Sequence, residues 1–425
     1  MMETKESGPD GPGDSSSGSG GRSAWLNRST VGVGLASLFS DVSHELATAV
    51  LPAVLLGLGA GPAALGLIEG SADGLSTVAK LWGGAAADRV KRRKPLASVG
   101  YLVTAVGLAG IAFCTTWAQV LACRAAAWVG RGSRSAPRDV LMVDAAAPTA
   151  LGKAFGMERA GDALGAVLGP LLAMALIAHG EAPRHVMLWS LIPGLLAFLS
   201  IALIVVEKPH EGKARARRSF LADVRGTGTA FQRFLLSIFV FGCGDFSRTF
   251  LILYATQHVA GTLFSLSAGS LAIALYVLHN AVSAVAAFPL GALTDVVGRR
   301  GILVSGYLFA AATTLGFAFL PATPPALIGL FVCSGIYIAC EEVVEKAYAA
   351  ELLPPAVKGT GMGVLAATNG LGDFISSGVV GLLWSLFPGR PAYGFLAAAM
   401  LQLIGASSLA VIHPASHTSQ PHTRS

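Results

Sequence analysis

Gly84 to Lys94 reads GAAADRVKRRK, a burst of charge wedged between two long apolar runs, and a second copy, GALTDVVGRR, occupies Gly291 to Arg300. The two anchor pairs, Gly84 with Gly291 and Asp88 with Asp295, are each separated by 207 residues (291 − 84 and 295 − 88). The chain is therefore two halves built on one plan. In each copy a helix end made of small residues delivers an aspartate and then basic residues, as a membrane helix does when it leaves the bilayer into a tight cytoplasmic turn.

Composition agrees with that reading. Charged residues are 13% of the 425 positions and hydrophobic residues 53%, against about 25% charged in soluble domains. Most of the length thus has no water-facing surface to cover, and the chain reads as a multi-pass protein of a lipid bilayer. The 52 glycines sit largely inside apolar runs, where helices associate by close backbone approach. The cysteines, Cys114, Cys123, Cys243, Cys333 and Cys340, fall within apolar segments without a C-x-x-C pair, which excludes a disulfide framework or a zinc site and leaves small packing residues. The net charge of +6 is concentrated in particular loops, so it reports membrane orientation and makes no case for nucleic acid.

Residues 1–28 form a polar tail of Gly, Ser, Pro and charge, without an apolar core of signal-peptide length, and are expected to be disordered. Twelve apolar spans of about 20 to 28 residues follow. They are predicted at 30–58, 63–88, 95–115, 117–143, 153–178 and 186–206, then 231–257, 265–294, 301–320, 325–351, 358–386 and 391–412. This divides the chain into a six-helix half at 29–206, a basic linker at 207–229, a second six-helix half at 230–412 and a tail at 413–425. Basic residues follow the even-numbered spans and are nearly absent elsewhere, with Arg184 and Arg390 the exceptions. Both termini should then face the cytoplasm, as in a bacterial inner membrane.

The two charged loops resemble the loop between the second and third helices of major facilitator superfamily transporters, and its repeat six helices later, with the pattern G-x-x-x-D-R-x-G-R-K/R. The first copy keeps Gly84, Asp88, Arg89, Arg92 and Arg93 but has Lys91 at the second glycine. The second keeps Gly291, Asp295, Gly298, Arg299 and Arg300 but has Val296 at the first arginine. The resemblance covers about residues 28 to 412. It implies an all-α membrane protein of twelve transmembrane helices in two pseudo-symmetric six-helix halves, working by alternating access. It further implies gating roles for the two loops and a central cavity lined by the first, fourth, seventh and tenth helices. A monomer without cofactor is expected.

Those four spans carry the densest intramembrane charge, which is costly enough in lipid that a functional role is its default reading. Asp41, His44 and Glu45 share one face of the first span, and Arg131, Arg134, Arg138 and Asp139 recur on the fourth. Asp245 and Arg248 lie on the seventh, and Glu341, Glu342, Glu345 and Lys346 on the tenth. Under the 207-residue offset Arg134 maps to Glu341, Arg138 to Glu345, Asp139 to Lys346 and Asp41 to Arg248. Equivalent positions of opposite charge could exchange salt bridges as the halves rock, or could only hold the bundle together. Asp73, Lys80, Glu158, Arg159, Asp162 and Asp373 read as gate or helix-pair contacts. Asp41 or Glu45, tuned by His44 and the arginines, is the expected proton carrier.

On the fifth span Gly161, Gly165, Gly169 and Pro170 spell G-x-x-x-G-x-x-x-G-P, which resembles the antiporter motif of the family's drug-efflux branch but continues with Leu171 and Leu172 where small residues are usual. Close helix packing explains the glycines equally well. The expected function is proton-coupled export of a small solute. Transition-metal or metal-chelate export, uptake of an anionic solute, and a non-transporting membrane sensor on the same fold remain alternatives. No nucleophile elbow, metalloprotease helix or phosphate loop occurs, so an enzyme is not expected.

Overall fold

In the computed structural model the described residues are 26–87, 90–146, 151–207, 227–259, 267–354 and 358–411. They are helical almost throughout, without a strand. The expected terminal tails and most of the linker lie outside the described residues. In chain order the first six spans are α1 (Arg28–Gly57), α2 (Pro62–Ala87), α3 (Lys94–Phe113), α4 (Trp117–Ala145), α5 (Leu151–Ala178) and α6 (Pro183–Ile204). The second six are α7 in two pieces (Thr229–Gly242 and Thr249–His258), α8 (Ala268–Val297), α9 (Arg299–Phe319), α10 (Pro324–Leu352), α11 (Lys358–Leu386) and α12 (Ala392–Val411). Eight of the helices are long and apolar enough to cross a membrane on composition alone. Those that fall short are α2, α4, α7 and α11, all of which supply charged side chains to the interior.

Helix ends follow local chemistry. Asn27 caps α1 through the Ser29 and Thr30 amides, with Thr30 returning the bond to complete a capping box, and Thr116 with Gln119 does the same for α4. Two interruptions depart from the expected continuous spans. α7 stops at Gly242 and restarts at Thr249, and its freed backbone groups are taken up by side chains of the neighbouring helices. Gln402 Nε2 donates to the Gly244 carbonyl at 3.1 Å, Ser376 Oγ to the Asp245 carbonyl at 2.7 Å, and the Ser247 amide donates to Ser377 Oγ at 3.1 Å. α10 carries a π-turn at Glu341–Glu345.

Within the first half α1 packs on α5, and α2 and α3 pack on α4. Within the second, α8 packs on α10 and α9 on α12. The halves meet through α2 against α11 and α5 against α8, which the six-helix repeat makes equivalent interfaces. The α2–α11 contact is close enough that a Cβ on Gly70 would lie 2.7 Å from the Phe374 carbonyl. At the end of the bundle away from the basic loops, one apolar cluster joins both halves, running from Leu46–Leu55 of α1 through Phe246–Ala255 to Trp384 and Phe395. At the basic-loop end there are two separate clusters, one around Tyr101 and Ile201 and one around Phe231, Tyr307 and Tyr348. Sealed at one end and parted at the other, the bundle opens toward its basic loops.

Candidate functional site: a charged central cavity

A cavity of about 820 Å³ lies between the halves. It is wider in membership than the four expected helices, because α2, α5, α8 and α11 also line it. Asp41 stands thirteen residues into α1, about 20 Å along the helix at 1.5 Å per residue, near mid-bilayer.

The first half builds two connected groups. Arg131 Nη2 pairs with Asp41 Oδ1 at 3.2 Å. His44 Nε2 lies 3.6 Å from Glu45 Oε1, and the His44 ring meets Trp128 edge-on at 4.7 Å between centroids. Deeper in, Arg124 is fully buried, 3.0 Å from Glu69 Oε1, with its guanidinium 3.7 Å over the Trp128 ring, while Trp128 Nε1 donates to Asp73 Oδ1 at 2.9 Å. The second half reaches across to both carboxylates: Tyr276 Oη donates to Glu45 Oε2 at 2.7 Å, and Ser247 Oγ to Glu69 Oε2 at 3.0 Å. Asn280 Nδ2 adds a bond to the Ala166 carbonyl at 2.7 Å, and Arg159 of α5 pairs with Glu342 of α10 at 3.2 Å.

Arg134, Arg138, Arg248 and Glu345 find partners in their own half, so the exchange of opposite charges at equivalent positions is not engaged in this conformation. Arg134 donates to Ser40 Oγ and lies 3.7 Å over the Tyr101 ring. Arg138 pairs with Glu158 at 2.8 Å and Asp139 at 2.9 Å. Arg248 lies 3.7 Å from Asp245, which also accepts from Tyr337. Glu345 is held by Tyr307 and Asn369, and Glu341 is partly buried without a bonded partner for Oε2. Arg134, Arg138, Glu341 and Glu345 do not line the cavity, whereas Asp73, Arg159, Asp162 and Asp373, expected as gate or helix contacts, do. Glu158 is the helix contact it was read as, bridging Ser37 and Arg138.

The glycine stripe of α5 sits directly against the cavity face of α1. A Cβ at Gly161 would lie 2.9 Å from the Gly34 carbonyl, one at Gly165 2.8 Å from Asp41 Cβ, and one at Gly169 2.8 Å from Glu45 Cβ. Close packing therefore fixes where the two carboxylates stand. Pro170 lies inside α5, one residue on.

Of the gating loops, Asp88 and Arg89, and the Asp295 side chain, lie outside the described residues. Arg92 is exposed and Arg93 is buried, pairing with Asp144 at 3.1 Å and donating to the Ala87 carbonyl. The second copy repeats this with Arg299 and Glu351 at 3.1 Å, Glu351 being 207 residues beyond Asp144, while Arg300 bonds the Ala410 carbonyl. Gly298, at φ 100°, is the whole turn between α8 and α9. The first copy has Lys91 at the position of Gly298. Gly84 has room against α4, so the close approach falls instead to Gly83, which faces the Ser133 carbonyl that Pro137 leaves without its helical donor; Gly291 approaches Val343.

Sequence reasoning missed Arg124, Glu69, Trp128, Tyr276, His279 and Glu207. Glu207 accepts from the Arg93 and Lys94 amides and so caps α3. Arg124 and Glu69 were findable as intramembrane charges on α4 and α2; the aromatic residues carry no such signal.

The chain matches the sequence model described as Major Facilitator Superfamily over residues 33–275 and 237–424. It is 28% identical over 363 residues to an uncharacterized MFS-type transporter of Methanocaldococcus jannaschii, covering 85% of this chain and 90% of that one. It is 26% identical over 393 residues to an uncharacterized protein of Mycobacterium tuberculosis, covering 90% and 92%. Among solved structures, a mutant of the nucleoside transporter NupG superposes with a TM-score of 0.75 at 13% identity, covering 91% of this chain and all of that one. A bacterial homolog of the human lysosomal transporter Spinster, inward-facing and occupied, gives 0.72 at 16%, covering 90% and 96%. A mutant peptide transporter POT in complex with sulfate gives 0.74 at 14%, covering 90% and 94%.

Proposed function

This chain belongs to the Major Facilitator Superfamily, and we propose that it is a secondary transporter that exports a small solute in exchange for protons. It works from the cell membrane as a monomer, with both termini in the cytoplasm. The carrying observation is the bond from Tyr276 of one half to Glu45 of the other, at 2.7 Å inside the cavity. An ionised carboxylate is stabilised by each donor aimed at it. Rocking of the halves about this contact removes the donor from Glu45 and so changes how tightly the carboxylate holds a proton. Asp41, beside it and held by Arg131, responds in the same way to movement of α4. The glycine and proline stripe beneath both residues, with its likeness to the efflux motif, supports the outward direction.

The metal-export alternative has less support, because Asp41 turns to Arg131 and, among the described residues, no three His, Cys, Asp or Glu side chains gather as a ligand set.

The test uses proteoliposomes containing a pH-sensitive dye, challenged with a panel of antibiotics, metal salts and organic ions. Wild-type protein should move protons when a transported solute is added. Asp41→Asn with Glu45→Gln should abolish proton movement while solute binding persists. Undiminished proton movement in the double variant refutes the assignment, and solute transport without proton movement in the wild type refutes the coupling.

A further inference from the structure

We propose that the solute carried in this cavity is an organic cation bearing amine N–H groups, bound between Asp73 of one half and Asp373 of the other. The inference rests on the cavity being the transport site. Eight carboxylates line it, from Asp41 to Asp373, against the four guanidinium groups of Arg124, Arg131, Arg159 and Arg248. Eight less four leaves an excess of four negative charges when all are ionised. The guanidinium groups are already engaged, with Glu69, Asp41, Glu342 and Asp245 respectively. Asp162 shares Arg159 at 3.9 Å. Glu45, Asp73 and Asp373 stand in the wall without a Lys or Arg ion pair among the described residues.

Asp73 and Asp373 oppose each other across the interface between halves, where a Cβ on Gly370 of α11 would lie 3.5 Å from the Asp73 carbonyl. Asp73 accepts only the neutral Trp128 indole, and the Asp373 side chain makes no hydrogen bond or ion pair among the described residues. Lys80, the further basic residue on α2, is exposed and makes no ion pair there. A half-buried carboxylate left in that condition calls for a cation.

A second observation points to the same ligand. His279 is 3% exposed, lines the cavity, stacks on Tyr276 at 5.9 Å and has Nδ1 without a partner among the described residues. With its proton on Nε2, the neutral imidazole presents Nδ1 as an acceptor for an N–H. Placed beside carboxylates that lack a Lys or Arg ion pair, it selects a protonated amine over a quaternary ammonium, which has no hydrogen to give. Ala163, Ala166, Ala284 and Phe288 complete a lining for a ligand with an apolar body and a charged head.

The experiment measures equilibrium binding to the purified full chain in lipid nanodiscs, using 9-aminoacridine, an aromatic amine protonated at neutral pH, alongside spermidine as an aliphatic amine and fluorescein as an anion. At least one amine cation should bind saturably, and fluorescein should not compete. Asp73→Asn and Asp373→Asn should each raise its Kd about tenfold or more, with an unchanged unfolding temperature, and His279→Phe should reduce preference for the amine over tetraphenylphosphonium. Failure of both amine cations to bind overturns the proposal, as does binding indifferent to both aspartates or an anion that displaces the cation. None of these readouts involves a pH gradient. Cation binding without proton movement would sink the coupling and leave this site standing; proton movement driven by an anion would do the reverse.

Discussion

Replacing Gly169 by alanine places a methyl group where α5 touches α1. The new Cβ would stand 2.7 Å from the Val42 carbonyl oxygen and 2.8 Å from both Glu45 Cβ and the Leu46 nitrogen. Ordinary contact between a carbon and a carbonyl oxygen begins near 3.3 Å, so the helices must part by about 0.6 Å. The crowded atoms are backbone and Cβ, so no side-chain rotation relieves them. Overpacking of this kind costs about 1–3 kcal/mol. It also moves Glu45 relative to Tyr276, whose bond is only 2.7 Å long. Gly363→Ala is the matched control, because nothing lies within 4 Å of its Cβ position, and there the better helix propensity of alanine should be neutral or add up to about 1 kcal/mol. The assay is thermal unfolding of both variants in detergent, with proton movement in liposomes as the functional readout. Gly169→Ala should unfold at a lower temperature and transport poorly, and Gly363→Ala should match wild type. Equal unfolding temperatures and equal transport for the two would refute the claim that the stripe fixes the carboxylates.

Glu69→Gln strands a buried guanidinium that has one carboxylate partner, and breaking such a pair costs about 3–5 kcal/mol; denaturant unfolding of Glu69→Gln beside Asp139→Asn, whose carboxylate is half-exposed, should show a large loss in the first and almost none in the second. Asp88→Asn should impair transport at normal expression if the first loop gates the cavity; normal uptake across a range of solute concentrations would show that it does not. Cytoplasmic reporters joined after Lys94, within the Lys208 to Gly228 linker and at Ser425 should all be active, and a periplasmic reporter active at any of them would reverse the orientation read from loop charge.

The 207-residue repeat, the twelve apolar spans and the charged loops between them are properties of one-dimensional pattern, and they were legible because bilayer thickness dictates span length and insertion dictates loop charge. The same pattern exposed Asp41, Glu45 and Arg131 as interior charges, since any ionisable residue in an apolar run stands out. Their partners did not follow from pattern. Equivalent residues of opposite charge suggested bonds across the two-fold axis, yet Arg134 and Arg138 are satisfied within their own half by Ser40, Tyr101, Glu158 and Asp139. Which neighbours a side chain meets depends on helix rotation and conformational state, and periodicity carries neither. The break at Gly242 and the π-turn at Glu341–Glu345 were hidden for a related reason. The break is tolerated because Gln402, Ser376 and Ser377 arrive from helices far along the chain to satisfy its freed backbone groups. Asp373, read from sequence as a gate or helix contact, became a cavity residue without a side-chain partner among the described residues only when α11 was laid against α2.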